Sequence, residues 1–135
     1  MIVDASVAIK WLVVEEQTDL ANGLAARHRL IAPDLIVGEI ANAIWKKWAR
    51  GELSGVPARL PLVLDMLDEI LPLGPFAYRA AELAIELNHP AYDCFYLAMA
   101  EWREEQLITA DARFFKKVAA TPYAQLMVLL GDVAT

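Results

Sequence analysis

The chain has 135 residues, a length that lets one domain bury its own apolar core, so the sequence predicts a single domain over residues 1–135. Its 18 acidic and 12 basic residues give a net charge of −6, which argues against a protein that holds nucleic acid on a broad basic face. The hydrophobic fraction of 58% exceeds the roughly 45–50% of typical soluble domains. This excess indicates that another chain covers part of the apolar surface.

The sequence also indicates where the protein acts. No apolar segment reaches the roughly 20 residues that span a bilayer, and the start of the chain lacks the pattern of a secretory signal. The single cysteine, Cys94, agrees with a reducing compartment, and neither His28 nor His89 lies at a zinc-ligand spacing from it. We therefore expect a cytoplasmic protein without a Cys/His zinc site.

The first half of the chain alternates short apolar segments with amphipathic ones. In chain order these predict a strand over residues 2–3, helices over 6–14 and 17–28, a strand over 30–32, and a helix that Pro33-Asp34 opens and that ends near Gly51. A further helix is predicted over 58–67, from about Ala58, although Pro57 and Pro61 lie near its start.

The second half continues the alternation, with a strand over 69–73, helices over 75–88 and 91–105, a strand over 107–109, a helix over 111–119 and a strand over 126–130. Short, continuously apolar strands between helices predict a doubly wound α/β fold, with a parallel sheet covered by helices on both faces. Such folds bind ligands at the carboxyl ends of strands, where the strand order reverses. An order of 3-2-1-4-5 would put the first and fourth strands side by side at that point.

Two acidic residues directly follow those two strands. Asp4 comes after the first strand and Asp111 after the fourth, so the predicted order brings them together. Each also precedes a predicted helix and suits an N-cap, whose carboxylate accepts hydrogen bonds from the first turn. Taken alone, neither residue decides between a capping role and a functional one.

Two further acids lie on predicted helices. Asp93 is the one charge in residues 91–100, a segment that predicts a buried helix. An unpaired buried carboxylate is costly, so we favour a functional role for Asp93 with a cation nearby. Glu39 lies beside an apolar ridge of isoleucines at 36, 40 and 44, a position that suits a ligand and a solvated glutamate equally.

Other prominent side chains have plainer interpretations. We interpret the four tryptophans as core or interface residues rather than base-stacking platforms: Trp11, Trp45, Trp48 and Trp102. Three cations near the end of the Glu39 helix complement its dipole, with phosphate contact as the alternative: Lys46, Lys47 and Arg50. For Arg113 we favour pairing with a neighbouring carboxylate over contact with a phosphate.

Four segments taken in order resemble the PIN-domain nucleases. These are residues 2–6 (Ile-Val-Asp-Ala-Ser), the helix that carries Glu39, residues 92–98 (Tyr-Asp-Cys-Phe-Tyr-Leu-Ala) and residues 107–111 (Leu-Ile-Thr-Ala-Asp). The resemblance spans the whole chain and is strongest to the VapC toxins of toxin–antitoxin pairs. It implies the 3-2-1-4-5 sheet, endonucleolytic cleavage of RNA, a homodimer, and a cognate antitoxin that covers an apolar groove.

The resemblance also implies a metal site. It makes four acids the ligands of Mg²⁺ or Mn²⁺ and part of the catalytic set: Asp4, Glu39, Asp93 and Asp111. Ser6 and Thr109 occupy the supporting polar positions of that set. Many relatives carry another acid shortly after the Thr-Ala-Asp motif, whereas residues 112–115 (Ala-Arg-Phe-Phe) offer none. One ion is therefore the expectation, and a second remains open.

These residue types suit hydrolysis of a phosphodiester bond. Mg²⁺ prefers oxygen ligands and activates water for in-line attack, which leaves 3′-hydroxyl and 5′-phosphate ends. A phosphoryl-transfer enzyme with an aspartyl nucleophile is a rival, but the second acid expected two residues after Asp4 is replaced by Ser6. The other alternative is a catalytically silent PIN-like scaffold that binds RNA or a protein.

Overall fold

The computed structural model describes residues 1–53 and 59–133, and these contain five short strands. The strands are β1 (Ile2–Val3), β2 (Ile31–Pro33), β3 (Glu69–Leu71), β4 (Leu107–Thr109) and β5 (Met127–Leu129). They form one all-parallel sheet in the order β3-β2-β1-β4-β5, which confirms the predicted fold class and strand order.

The apolar residues of the three central strands reflect the position of these strands in the sheet. All residues of β1, β2 and β4 are buried, because both faces of the sheet centre are covered, and their side chains are accordingly almost all apolar. Ile2 pairs with Leu107 and Val3 with Ile108 across β1 and β4. By the same register, Asp4, which follows β1, and Thr109, the last residue of β4, lie at the same edge of the sheet.

Seven α-helices lie in the described residues: α1 (Ala5–Ala8), α2 (Thr18–Arg27), α3 (Leu35–Ala49), α4 (Leu60–Leu64), α5 (Ala77–Leu87), α6 (Ala91–Arg103) and α7 (Ala112–Ala119). Right-handed crossovers that run in opposite directions from β1 place helices on both faces of the sheet. Helix α6 packs on β1, β2 and β4 and along α5, and its residues from Tyr96 to Ala100 are all buried.

The turn between α5 and α6 has a left-handed residue, Asn88, with φ +50°. Asparagine tolerates this conformation better than most residues other than glycine. The Asn88 N–H bonds to carbonyl oxygens in the last turn of α5, and the His89 N–H bonds to the Ala84 carbonyl oxygen at 3.0 Å. The turn ends α5 and fixes where α6 begins.

Several element boundaries differ from the predicted ones. The helix predicted over 6–14 stops as α1 and a 3₁₀ turn over Ile9–Trp11, because nearby side chains bond to the carbonyl groups of the next loop. The buried Lys10 donates to the Glu16 carbonyl at 2.8 Å, and Arg59 donates to the Leu12 carbonyl at 2.5 Å.

Proline accounts for another of these differences. The strand predicted over 69–73 ends at Leu71, since Pro72 has no N–H for the ladder. Of the helix predicted over 58–67, α4 covers Leu60–Leu64, while Ala58 and Pro57 lie outside the described residues. No helix in the described parts of the chain is long and apolar enough to cross a membrane.

Candidate active site

Asp4 is the most buried acid of the predicted set, with 6% of its surface exposed. Its Oδ1 accepts a hydrogen bond from the Ser6 hydroxyl at 2.5 Å and from the Val7 N–H at 3.3 Å. Its Oδ2 accepts from the Thr109 hydroxyl at 2.5 Å. The carboxylate therefore caps α1 and is also fixed by the two polar residues predicted to support it.

Ser6 and Thr109 join the ends of β1 and β4. The Ser6 hydroxyl accepts from the Ala110 N–H at 2.8 Å, and the Thr109 hydroxyl accepts from the Asp111 N–H at 3.1 Å. Each hydroxyl thus donates to Asp4 and accepts from the loop that follows β4. The predicted meeting of the two strand ends is present as one hydrogen-bonded network.

The environment of Asp4 disfavours its charged form. Burial raises its pKa from 3.8 to about 6, although the hydrogen bonds from Ser6, Thr109 and Val7 lower it, and the nearby Asp93 charge raises it further. A carboxylate that is fixed by donors and still costly to ionise is well placed to bind a cation.

Glu39 is half-buried on α3, beside the ridge formed by Ile36, Ile40 and Ile44, which is buried as predicted. The Tyr96 hydroxyl from α6 donates a hydrogen bond to its Oε1. Burial raises the pKa of Glu39, the Tyr96 hydrogen bond lowers it, and the charges of Asp93 and Asp4 raise it again. Glu39 therefore belongs to the same electrostatic group as the other two acids.

Asp93 departs from the prediction that it is buried and unpaired. Its side chain is 36% exposed, and its Oδ2 lies 2.6 Å from His89 Nε2. Helix α6 is buried mainly from Cys94 onward, whereas Asp93 in its first turn is partly exposed. The expectation of a buried, unpaired charge was wrong, since helical periodicity does not show where a buried helix meets an opening.

Asp111 is exposed and caps α7. Its Oδ1 accepts hydrogen bonds from the N–H groups of Arg113 at 3.0 Å and Phe114 at 3.1 Å. Its own N–H bonds to Thr109, which in turn bonds to Asp4. The capping interpretation of Asp111 is confirmed, and the residue lies at the rim of the acidic group.

The four acids offer a divalent cation the right donors. Among residues 1–53 and 59–133, no three Asp, Glu, His or Cys side chains are arranged so that they could hold one ion in their present positions. Mg²⁺ needs fewer, because it binds proteins through one or two carboxylates and keeps several waters. The carboxylates around Asp4 repel one another, and a hard cation such as Mg²⁺ would relieve that repulsion.

Comparison with known proteins assigns the family. A family model described as the PIN domain matches residues 1–120. The chain belongs to the PIN-domain family. It is 30% identical over 130 residues to ribonuclease VapC3 of Pyrobaculum aerophilum, an alignment that covers 89% of this chain and 95% of that protein. The predicted resemblance to VapC-type PIN-domain proteins is confirmed.

A solved structure agrees on the fold of this PIN domain. The crystal structure of PAE2754 from Pyrobaculum aerophilum superposes with a TM-score of 0.71 at 23% identity. The match covers 96% of this chain and 83% of that one. At this level of identity the likeness concerns the fold alone.

Two partners of the acids were missed in the sequence. His89 precedes Asp93 by four residues, but Pro90 separates them and hides that spacing from a helical pattern. Tyr96 was treated as part of an apolar helix, although a buried tyrosine hydroxyl usually needs a hydrogen-bond partner. The need of a buried hydroxyl for a partner could have drawn attention to Tyr96, but nothing in the sequence shows that the partner is Glu39.

Other side chains of this PIN domain also differ from their predicted roles. Trp45, Trp48 and Trp102 are 58%, 61% and 62% exposed, so the core interpretation is wrong for these three and the interface interpretation stays a prediction. Arg113 forms no ion pair within the described residues, so the carboxylate partner we favoured for it is not found there. Lys47 pairs with Glu15 and Glu52, a structural role.

Proposed function

We propose that this PIN domain is a Mg²⁺-dependent endoribonuclease, with Mn²⁺ able to substitute, that acts in the cytoplasm as the toxin of a toxin–antitoxin pair. The observation that carries the proposal is Asp4, a buried carboxylate fixed by three donors, with a pKa raised to about 6 and with Asp93 close enough to contribute to that rise. The similarity to ribonuclease VapC3 supports RNA as the substrate.

The roles of the residues follow from their surroundings. Asp4, Glu39, Asp93 and Asp111 would bind the cation, one or two of them directly and the others through the waters that Mg²⁺ keeps. When bound, the ion would activate water and neutralise charge on the phosphate. Ser6 and Thr109 position Asp4, because each hydroxyl donates to one of its two oxygens.

The Ser6 hydroxyl is not a free nucleophile in this site. The Ser6 hydroxyl already donates to Asp4 and accepts from the Ala110 N–H, so both its proton and a lone pair are engaged. We propose in-line attack of water at the phosphorus atom, with the 3′ oxygen as the leaving group. It releases a 3′-hydroxyl and a 5′-phosphate, as the sequence-based hypothesis has it.

The partners we propose are a cognate antitoxin and a second copy of the chain. The hydrophobic fraction of 58% is high for a domain of this size. Part of this excess lies on the surface, where Trp45 and Trp48 project from α3 and Tyr78 and Ile85 project from α5. Exposed apolar side chains of this size support coverage by other chains.

Cleavage of RNA by the purified chain tests this proposal. We expect cleavage in Mg²⁺, none in EDTA, and a loss of at least a hundredfold for Asp4→Asn and for Asp93→Asn. Asp19→Asn is the matched control, since it removes one carboxylate from the exposed first turn of α2. Cleavage that persists in Asp93→Asn would reject the site, and RNA binding without cleavage by the wild type would favour the silent scaffold.

A further inference from the structure

A cavity of about 360 Å³ lies beside the acidic group, lined by His89, Asp111, Arg113, Phe114 and Lys117. Its volume falls within the roughly 300–1,000 Å³ of small-ligand sites. Arg113 and Lys117 stand one turn apart on α7, so both cations lie on the same face of that helix. These two cations on one cavity contrast with the net charge of −6 of the whole chain.

Both cations keep donors available. Among the described residues Arg113 has no ion-pair partner, and Lys117 has no carboxylate within ion-pair distance. Lys117 Nζ donates to the Asn88 carbonyl oxygen at 2.5 Å, which uses one of its three N–H donors and holds the ammonium group at the C-terminal end of α5. The Arg113 and Lys117 side chains are both exposed, so an anion from solvent can reach them.

The wall of the cavity connects it to the acids. The His89 ring stacks on Phe114 with 4.7 Å between ring centroids and 21° between planes. The same His89 ring holds Asp93 through Nε2, and Asp111 lines the cavity directly. An anion bound between Arg113 and Lys117 would therefore lie next to two of the proposed metal ligands.

We propose that this cavity binds a backbone phosphate of the RNA, a neighbour of the phosphate that is cleaved. The proposal rests on the proposed function for its place along the RNA. Four carboxylates repel a polyanion, and fixed cations at the edge of the group offset that repulsion. Arg113 and Lys117 contact phosphate oxygens, so the cavity contributes affinity and no base preference.

The binding test uses the full chain with Asp4→Asn, so that the RNA stays intact in Mg²⁺. Asp4 lies outside the cavity, and Asn has nearly the same size and shape as Asp. The probe is a fluorescein-labelled single-stranded RNA oligonucleotide, titrated by fluorescence anisotropy at several KCl concentrations. Into this protein we introduce Arg113→Gln, Lys117→Gln or both.

The control is Lys116→Gln, which removes the same charge from an exposed residue of the same helix that does not line the cavity. We expect each cavity substitution to weaken binding about tenfold and the control to change it less than twofold. The slope of log K against log salt should fall by about 0.7 for each lost contact. An equal loss in Lys116→Gln would overturn the proposal, as would no measurable binding before the cavity substitutions are made.

Cleavage by the Arg113→Gln and Lys117→Gln variants in the otherwise wild-type chain separates this inference from the proposed function. We expect KM to rise about tenfold and kcat to change little. If the wild type cleaves RNA and the variants match it in KM and in binding, the cavity proposal fails and the nuclease proposal stands. If the wild type does not cleave but the cavity variants lose RNA binding, the nuclease proposal fails and the phosphate site stands.

Discussion

At Asp4 a single carboxylate caps a helix and also takes part in the site. The sequence left these two roles as alternatives, but the structure shows that they are compatible. The Val7 N–H and the Ser6 hydroxyl share Oδ1, while Thr109 bonds to Oδ2. Capping orients the side chain toward the carboxyl end of β4, where Asp111 begins the next helix. The cap is therefore part of how the acid is positioned.

Mg²⁺ should stabilise the fold through Asp4. Without an ion, burial and the Asp93 charge disfavour the charged form of Asp4, and a bound cation removes that cost. We expect millimolar Mg²⁺ to raise the Tm of the wild type by several degrees at pH 8 and to leave Asp4→Asn nearly unchanged. Thermal melts followed by circular dichroism measure this, and an unchanged wild-type Tm would argue against a preformed site.

Tyr96→Phe should weaken the site without removing an acid. The substitution deletes the hydroxyl that donates to Glu39 and leaves a half-buried carboxylate without that partner, at a cost of about 1–3 kcal/mol. We expect a lower free energy of unfolding and reduced RNA cleavage. Tyr92→Phe is the matched control, because Tyr92 lies on the same helix and is 66% exposed. Equal urea-unfolding curves for the two variants would contradict this role of Tyr96.

Among the elements, α6 carries two side chains of the site. It covers the centre of the sheet, carries Asp93 and Tyr96, and packs along α5. Arg79 on α5 joins the two helices through paired hydrogen bonds to the Glu101 carboxylate, at 2.7 and 2.9 Å. These bonds lower the pKa of Glu101, although partial burial opposes that effect.

The Arg79–Glu101 pair should give a pH-dependent contribution to stability. The folded pKa of Glu101 is below its ordinary value of 4.5, so the contribution is present at neutral pH and is lost as pH falls through the folded pKa. Both side chains are about a third exposed, with values of 34% and 36%, which limits the coupling to roughly 1 kcal/mol or less. A double-mutant cycle with Arg79→Gln and Glu101→Gln in urea measures it. Equal coupling at pH 7 and pH 3 would contradict this assignment.

How far the sequence predicts these elements depends on the kind of interaction. The apolar runs placed every strand, and the predicted adjacency of β1 and β4 is confirmed, with Thr109 bonded to the Asp4 carboxylate and to the backbone N–H of Asp111. The loop after α1 could not be predicted, because its contacts include Lys10 bonding to a carbonyl six residues later in the chain. Contacts between side chains on different elements leave no periodic signal.

The same limit applies to the candidate site. The family resemblance, not helix spacing, singled out Glu39, and a contact with Tyr96, 57 residues away in sequence, is invisible to any local pattern. The burial argument correctly identified α6 as a buried helix. It also led us to expect a buried carboxylate at Asp93, whereas the buried carboxylate is that of Asp4 and Asp93 is partly exposed. The apolar pattern shows that a helix is buried, but the packing of the folded chain determines which of its turns is exposed to solvent.

At the scale of the whole molecule, acidic charge and exposed apolar surface occur together. The net charge of −6 opposes binding of RNA, while the exposed aromatic residues on α3 favour contact with protein. Both observations fit the proposed nuclease, in which a bound cation would offset the repulsion between the acids and RNA. Other chains would cover the exposed apolar surface. The surface is informative here because isolated domains seldom leave several tryptophans exposed.

The purified chain should self-associate. We expect a homodimer at micromolar concentration, with twice the monomer mass of 15.0 kDa, because burial of exposed aromatic residues favours association. Size-exclusion chromatography with multi-angle light scattering measures the mass without a reference shape. A mass of one chain across the micromolar range would contradict the homodimer and leave the antitoxin as the expected cover for this surface.

The left-handed turn at Asn88 has a mechanical consequence for the site. Its carbonyl oxygen holds Lys117, and the next residue, His89, holds Asp93. A cation of the proposed phosphate cavity and an acid of the proposed metal group are therefore hydrogen-bonded to adjacent residues of one turn. A displacement of that turn would shift both hydrogen-bond partners together, so the position of this one turn couples the proposed phosphate cavity to Asp93.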